Sequence, residues 1–103
     1  MMGVLMLFAC AEPRPIDPVQ ALDGSPARGE AQYQMVCAQC HGASGHGVGR
    51  SPALTDRAPR RDDASILHTM LNGRGAMRGV RISDQEAADI LAYLRARFPA
   101  QAP

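Results

Sequence analysis

The segment Cys37-Ala38-Gln39-Cys40-His41 brings two thiols and an imidazole into five consecutive residues. In a helical turn, residues three and four positions apart are neighbours on one face. The sulfur atoms of Cys37 and Cys40 are therefore expected on the same side, with His41 directed toward that side as well. Only one further cysteine, Cys10, occurs in the chain, and an odd cysteine count does not favour a framework of disulfides.

The C-x-x-C-H spacing is typical of a site where c-type haem is attached to a polypeptide. We predict that Cys37 and Cys40 each form a thioether with one vinyl-derived carbon of a single porphyrin, and that His41 ligates the iron. A thioredoxin-like redox pair is a weaker interpretation, because no βαβ pattern surrounds the motif. A structural zinc site is also weaker, because such a site usually needs four protein ligands and this segment supplies three.

The composition agrees with a small domain built around a cofactor. The 103 residues fit one domain, and they include two Tyr, two Phe and no Trp. A domain of this size therefore has little large apolar material with which to fill its centre. The formal net charge is +1 and every basic residue is Arg, whereas nucleic-acid binding usually needs a strong clustered basic excess. We expect no nucleic-acid partner.

Three helical segments are predicted, which makes the fold class all-α. The first spans about 25–39 and starts at a Ser-Pro pair that suits a helix N-terminus. The second spans 64–72, after an aspartate cap at position 62 or 63. The third runs to about residue 98 and follows a capping box formed by Ser83 and Glu86.

Glycines mark three places where the backbone is expected to approach something closely. Gly29 lies four residues before Tyr33 on one face of the first helix, so its expected use is the close approach of a second helix. The glycine-rich loop 42–49 follows the attachment motif and has few side chains to keep a flat group away. A second glycine-containing loop, 74–81, surrounds Met77.

The beginning of the chain predicts an export signal and a linker. Residues 1–9 are apolar and uncharged, as in a secretory signal peptide. Leu7-Phe8-Ala9-Cys10 is similar to the lipobox of bacterial lipoproteins, which would make Cys10 a lipid anchor; the alternative is an ordinary signal peptide with an incidental cysteine. Residues 10–24 contain three prolines and are predicted to be a semi-rigid linker. The haem domain is assigned to 25–99, and 100–103 form a tail.

From residue 26 to residue 98, the chain resembles the class I cytochrome c family. Gly29, Tyr33 and the attachment motif match the first helix of that family, and 89–94 looks like its C-terminal helix, which crosses the first helix near that glycine. The resemblance implies a small fold of three main helices wrapped around one covalently bound haem c. It also implies that the carbonyl of Pro52 accepts the N–H of His41, which would orient the imidazole.

The resemblance extends to the segment 72–77, which looks like the family's sixth-ligand loop and implies that Met77 is the second axial ligand. Three alternatives remain: Met70, His46 and His68. Met70 lies on an apolar helix face, where methionine is more often core filling. His46 is close to His41 in sequence, which makes the opposite haem face awkward to reach, and His68 points away from the apolar face.

The predicted function is single-electron transfer by a monohaem cytochrome c between a donor and an acceptor redox protein of a respiratory or dehydrogenase chain. With both axial positions filled by protein, no open site remains for a substrate, so we expect a carrier and not an enzyme. The alternatives are a haem protein that binds a small ligand, or a haem-containing subunit of a larger oxidoreductase. Haem attachment by this motif occurs outside the cytoplasm, so the expected location is the periplasm, with a possible tether through Cys10.

Overall fold

The computed structural model describes residues 12–49, 51 and 53–101. The predicted signal segment, Cys10 and Pro52 lie outside these described residues. The described elements follow in chain order as α1 (Asp17–Gln20), α2 (Pro26–Val36), α3 (Ala38–His41), α4 (Leu54–Arg57), a 3-10 turn (Ala58–Arg60), α5 (Asp63–Asn72), β1 (Gly73–Arg74), β2 (Met77–Arg78) and α6 (Asp84–Arg97). The predicted all-α class is confirmed, since the two strands are two residues long each.

The crossing of α2 and α6 is the centre of the fold. At Gly29 the helices approach so closely that a Cβ atom would stand 1.9 Å from the carbonyl oxygen of Asp89 and 2.9 Å from the Cβ of Tyr93. One turn later, the rings of Tyr33 and Tyr93 pack with centroids 5.3 Å apart. The predicted use of Gly29 is therefore confirmed. Around the crossing, the fully buried core side chains include Tyr33, Leu67, Ile90 and Val19.

A buried carboxylate ties the start of α2 to α6. Asp89 is 3% exposed and accepts hydrogen bonds from the Ser25 backbone N–H at 2.8 Å and from the Arg28 Nε at 2.9 Å. The Gln85 amide donates to the same carboxylate at 3.0 Å. Charge-assisted bonds of this kind compensate the removal of a carboxylate from water.

Side chains that cap the N-terminal N–H groups account for where the three longer helices begin. Ser25 caps α2 by accepting from Arg28 N–H, and Asp62 caps α5 by accepting from Ser65 N–H at 2.7 Å. The predicted capping box at the start of α6 is present, with Ser83 and Glu86 each accepting from the other's backbone N–H. These side chains satisfy N–H groups that have no partner within the helix.

The first predicted helix is shorter than expected. It ends at Val36, not at about residue 39, and the chain makes a turn at Cys37 before the separate short helix α3. The backbone at Cys37 keeps helical angles near φ −101° and ψ −29°, so the attachment motif remains helical in character.

The segment predicted to be a linker is partly folded onto the domain. Residues 12–22, which we call the N-terminal strap, include helix α1, and its Val19 is 1% exposed in contact with the core. Pro18 suits the first turn of α1, and the partly buried Ile16 also packs on the core. A single apolar turn has no helical period that a sequence pattern can reveal, so its burial depends on the partner surface of α6.

The loop predicted around Met77 contains a small antiparallel hairpin. Gly73 pairs with Arg78 and Arg74 pairs with Met77, around a two-residue turn that starts at Gly75. Gly75 has a φ of +58°, which suits the first turn position of a two-residue hairpin. Strands of two residues are too short to show an alternating pattern, which is why the sequence predicts a loop here.

Within the described residues, no helix is long and apolar enough to cross a membrane. The predicted tail 100–103 is described as far as Gln101, whose backbone N–H donates to the carbonyl of Pro59 at 2.9 Å.

Candidate cofactor attachment site

The attachment motif occupies a single turn directly after α2. The Cys37 N–H donates to the Tyr33 carbonyl at 2.8 Å, which continues the hydrogen bonding of α2. The N–H groups of Cys40 and His41 then both donate to the Cys37 carbonyl, at 3.2 and 3.0 Å. The three predicted haem-binding residues are thereby held on one hydrogen-bonded turn of backbone.

The two thiols are unpaired and differ in exposure. Cys37 is half-buried, Cys40 is exposed, and neither forms a disulfide. Burial, with a smaller contribution from the neighbouring Cys40, raises the pKa of the Cys37 thiol to about 11. Both sulfur atoms are therefore free for covalent attachment, and Cys37 keeps its proton at neutral pH until it reacts.

His41 is sheltered, with 7% of its surface exposed. Its carbonyl accepts the N–H of Gly47 at 2.8 Å, so the glycine-rich loop turns back over the end of α3. An imidazole that is shielded from water suits an axial iron ligand better than a solvated one does. Within the described part of the chain, no three His, Cys, Asp or Glu side chains form a group that could hold a bare metal ion.

Tyr33 forms a hydrogen bond with the loop that follows the motif. Its hydroxyl donates to the carbonyl of Gly42 at 2.7 Å, and burial raises the pKa of Tyr33 to about 12. Farther along the loop, the Gly45 carbonyl accepts from the N–H of Leu54 at 2.7 Å. A Cβ atom at Gly45 would stand 2.5 Å from the Phe98 ring, so the loop also packs against the end of α6.

Met77 is half-buried and lies in β2, which follows α5 in the chain, whereas the attachment motif precedes α5. The N–H of Val80 donates to the Met70 carbonyl at 2.8 Å, and a Cβ at Gly79 would stand 2.4 Å from the Leu71 carbonyl oxygen. The hairpin is thus packed closely against α5. The structure does not join Met77 to the attachment turn by any hydrogen bond among the described residues.

The alternative axial ligands have other surroundings. Met70 is 5% exposed and belongs to the hydrophobic core. His46 is exposed and its Nδ1 lies 2.9 Å from the Ser44 hydroxyl, while His68 is exposed beside Asn72. These positions agree with the sequence-based preference for Met77 but do not test it.

Two arrangements of arginine side chains are visible only in the tertiary structure. Burial, followed by the nearby charges of Arg74 and Arg57, lowers the pKa of Arg61, so three guanidinium groups from separate elements share one region. Arg14 of the N-terminal strap takes part in four hydrogen bonds, with Asn72 before Met77 in the chain and with Ile82 and Asp84 after it. Sequence analysis missed Arg14, because a lone arginine among prolines carries no local signal.

Comparison with known proteins places the chain in a family. The profile of the family described as cytochrome C oxidase, cbb3-type, subunit III matches residues 24–94. A cytochrome c-553-like protein of Synechocystis is 37% identical over 78% of this chain and 76% of its own length. Cytochrome c-551 of Bacillus subtilis is 32% identical over 87% of this chain and 83% of its own length.

A solved structure agrees with these sequence relatives. The crystal structure of cytochrome cL from Hyphomicrobium denitrificans matches with a TM-score of 0.57 and 25% identity. The match covers 67% of this chain but only 45% of cytochrome cL, so the chain spans less than half of that protein. It supports the helical arrangement described above.

The donor set fits the cofactor of this family. Two unpaired thiols and a sheltered imidazole occupy one turn, next to a glycine-rich loop with little side-chain bulk. The chain therefore belongs to the class I c-type cytochromes, as a small electron carrier, not an enzyme, with one covalently bound haem c.

Proposed function

We propose that this chain carries single electrons between a donor and an acceptor protein of a respiratory or dehydrogenase chain. In this proposal Cys37 and Cys40 hold the haem and His41 and Met77 ligate its iron, with the Pro52 carbonyl orienting His41. The observation that carries it is the attachment turn itself. Two unpaired thiols and a sheltered imidazole lie on one turn, which continues the hydrogen bonding of α2.

When bound, the haem supplies a one-electron change between ferrous and ferric iron. The two cysteines hold a cofactor that a chain of this size cannot enclose completely. His41 lies among residues that exclude water, and a thioether from Met77 favours the reduced iron because it is neutral. With both axial positions occupied by protein ligands, no substrate would need to bind the iron for it to change its oxidation state. Encounters with redox partners are then expected to be small and short-lived.

The attachment is tested by the absorption spectrum of the reduced, denatured protein in alkaline pyridine, after export by a host that attaches haem. The wild type is expected to show haem with two thioethers, and Cys37→Ser or Cys40→Ser to show one. A wild-type protein whose mass equals that of its amino acids and which is colourless contradicts the proposal.

The axial assignment is tested by Met77→Leu. We expect loss of the weak long-wavelength iron–sulfur absorption band of the ferric protein, together with fast binding of carbon monoxide to the ferrous protein. Met35→Leu is the matched control, since Met35 is 72% exposed on α2. If the band survives in Met77→Leu, another residue ligates the iron.

A second candidate function is a haem-containing subunit of a larger oxidoreductase. The matching family profile favours it, since its description is that of an oxidase subunit. Size-exclusion chromatography of the protein from its native membrane or periplasmic fraction separates the two possibilities. A free shuttle elutes alone, whereas a subunit elutes with its complex.

We also propose a periplasmic location and a lipid tether at Cys10. Arg14 is only four positions after Cys10, and four steps of a fully extended chain span at most about 14 Å. A tether at Cys10 would therefore keep the face that carries Arg14 close to the membrane. Radioactive fatty acid is expected to label the wild type but not Cys10→Ser, and an unlabelled wild type contradicts the tether.

A further inference from the structure

We propose that Arg14 is a positioning residue for Met77, because it clamps both ends of the chain segment that carries this methionine. We call residues 73–83 the Met77 segment. The inference rests on the proposed ligation of iron by Met77 and adds a role for the N-terminal strap, which lies outside the three main helices.

The first end of the Met77 segment is held by a reciprocal pair of hydrogen bonds. Asn72 is the last residue of α5, and its side-chain Oδ1 accepts the backbone N–H of Arg14 at 2.6 Å. Its Nδ2 donates to the backbone carbonyl of Arg14 at 3.0 Å. The amide of Asn72 thus pairs with both polar backbone groups of one strap residue.

The second end is held by the guanidinium of the same residue. Its Nη1 donates to the carbonyl of Ile82 at 2.9 Å, and its Nη2 donates to the Asp84 carboxylate at 2.9 Å. Asp84 is the first residue of α6. One strap residue therefore connects the chain directly before the Met77 segment with the end of that segment and the helix that follows.

The strap is itself anchored, so the clamp has a fixed support. Val19 of α1 is 1% exposed in contact with the core, and Ile16 packs against the same cluster. The Met77 segment packs on α5 at Gly79 and on the core at Ile82, but the chain around Met77 makes few hydrogen bonds of its own. Its described backbone bonds are the short hairpin, Val80 N–H to the Met70 carbonyl, and Ile82 N–H to the Val80 carbonyl.

The clamp is expected to act on local opening more than on global stability. The Arg14 and Asp84 side chains are 38% and 43% exposed, and an ion pair with that exposure contributes little to the folding of a whole domain. Segments with few buried contacts open locally without global unfolding. Loss of the guanidinium therefore increases the fraction of time that Met77 is away from its bound position.

The test compares Arg14→Gln with wild-type holoprotein. We measure the rate at which cyanide binds to ferric iron, which requires Met77 to leave, together with the reduction potential. The rate is expected to rise about fivefold, because the substitution removes two guanidinium hydrogen bonds that are partly exposed and therefore weak. The potential is expected to fall, because the thioether favours reduced iron.

Two controls separate positioning from general stability. Arg60→Gln removes another exposed arginine–aspartate pair, to Asp56 at 3.2 Å, and is expected to leave rate and potential unchanged. Arg14→Lys keeps a charge that can face Asp84 and is expected to restore part of the wild-type rate. In a double-mutant cycle, Arg14→Gln and Asp84→Asn are expected to be non-additive in their effects on the rate.

The outcomes distinguish this inference from the proposed ligation. If wild type lacks the iron–sulfur band and binds cyanide as fast as Met77→Leu, the ligation by Met77 is wrong. If the band is present but Arg14→Gln matches wild type in rate and potential, the ligation stands and the clamp is overturned. A rate change that only follows the denaturation midpoint of every variant also overturns the clamp.

Discussion

The helix crossing and the Met77 segment hold the two proposed axial ligands by different means. At the crossing, the backbones of α2 and α6 approach each other closely at Gly29, and Asp89 and the paired tyrosine rings are buried beside it. The Met77 segment packs on α5 at Gly79, but around Met77 itself it is held by a two-residue hairpin and by hydrogen bonds from a partly exposed arginine.

This difference indicates that the two regions affect different properties of the protein, namely folding stability and ligation of the iron. Close packing allows few alternative arrangements of side chains and backbone. A change at the crossing is therefore expected to act on the folding of the domain. Hydrogen bonds at a half-exposed segment cost little to open, so a change there is expected to act on ligation of the iron. We therefore expect the attachment turn to be rigid and the segment that carries the proposed sixth ligand to be adjustable.

The largest effect is expected from a glycine-to-alanine substitution at the helix crossing, which we compare with the same substitution in the Met77 segment. Gly29→Ala places a Cβ 1.9 Å from the Asp89 carbonyl oxygen, so the helices must separate. We expect a loss of about 3 kcal/mol in the free energy of unfolding of the holoprotein. Gly75→Ala has open space around its Cβ and a φ of +58°, so we expect a loss of about 1 kcal/mol.

Urea denaturation followed by circular dichroism measures both variants. Equal losses at the two glycines would contradict the contrast between a packed crossing and an open segment.

An intermediate effect is expected at Asp89, and it depends on pH. The hydrogen bond from Arg28 first, and those from Ser25 N–H and Gln85, hold the pKa of Asp89 below its ordinary value in the folded protein. Stability from this carboxylate is therefore complete above its ordinary pKa and is lost as pH falls through the lowered value. We expect Asp89→Asn to cost about 2 kcal/mol at pH 7.

The difference between wild type and Asp89→Asn is expected to shrink as the pH falls below the ordinary carboxyl range, measured by denaturant midpoints at several pH values. Asp56→Asn is the control, because Asp56 is exposed and pairs only with Arg60 across one helical turn among the described residues. A difference that does not change with pH would show that the Asp89 charge contributes nothing.

The smallest effect is expected from Tyr33→Phe, which keeps the ring against Tyr93 and removes only the hydroxyl bond to the Gly42 carbonyl. We expect a loss of about 1 kcal/mol. Tyr93→Phe is the matched control, since the Tyr93 hydroxyl makes no hydrogen bond to the described residues and its loss should cost almost nothing. Thermal denaturation of the two holoproteins compares them, and equal midpoints would argue against the bond to Gly42.

Several features could be predicted because they depend on neighbours in sequence. The C-x-x-C-H spacing requires one helical turn, and the capping residues Asp62 and Ser83 act on N–H groups three positions later. Gly29 was predicted as a contact point because a glycine within a helix needs a reason to be there. The break at Cys37 was not predicted, since no proline or glycine marks it.

The sequence by itself determined the covalent haem chemistry, the helical class and the helix starts, because these depend on spacings of a few residues. Only the tertiary structure decided that the strap folds onto α6, that Asp89 is the buried partner of Arg28, and that Arg14 meets Asn72 and Asp84. The partners of Arg14 lie 58 to 70 positions away along the chain. Contacts at that separation depend on how complete helices pack, and no local pattern of residue types records them.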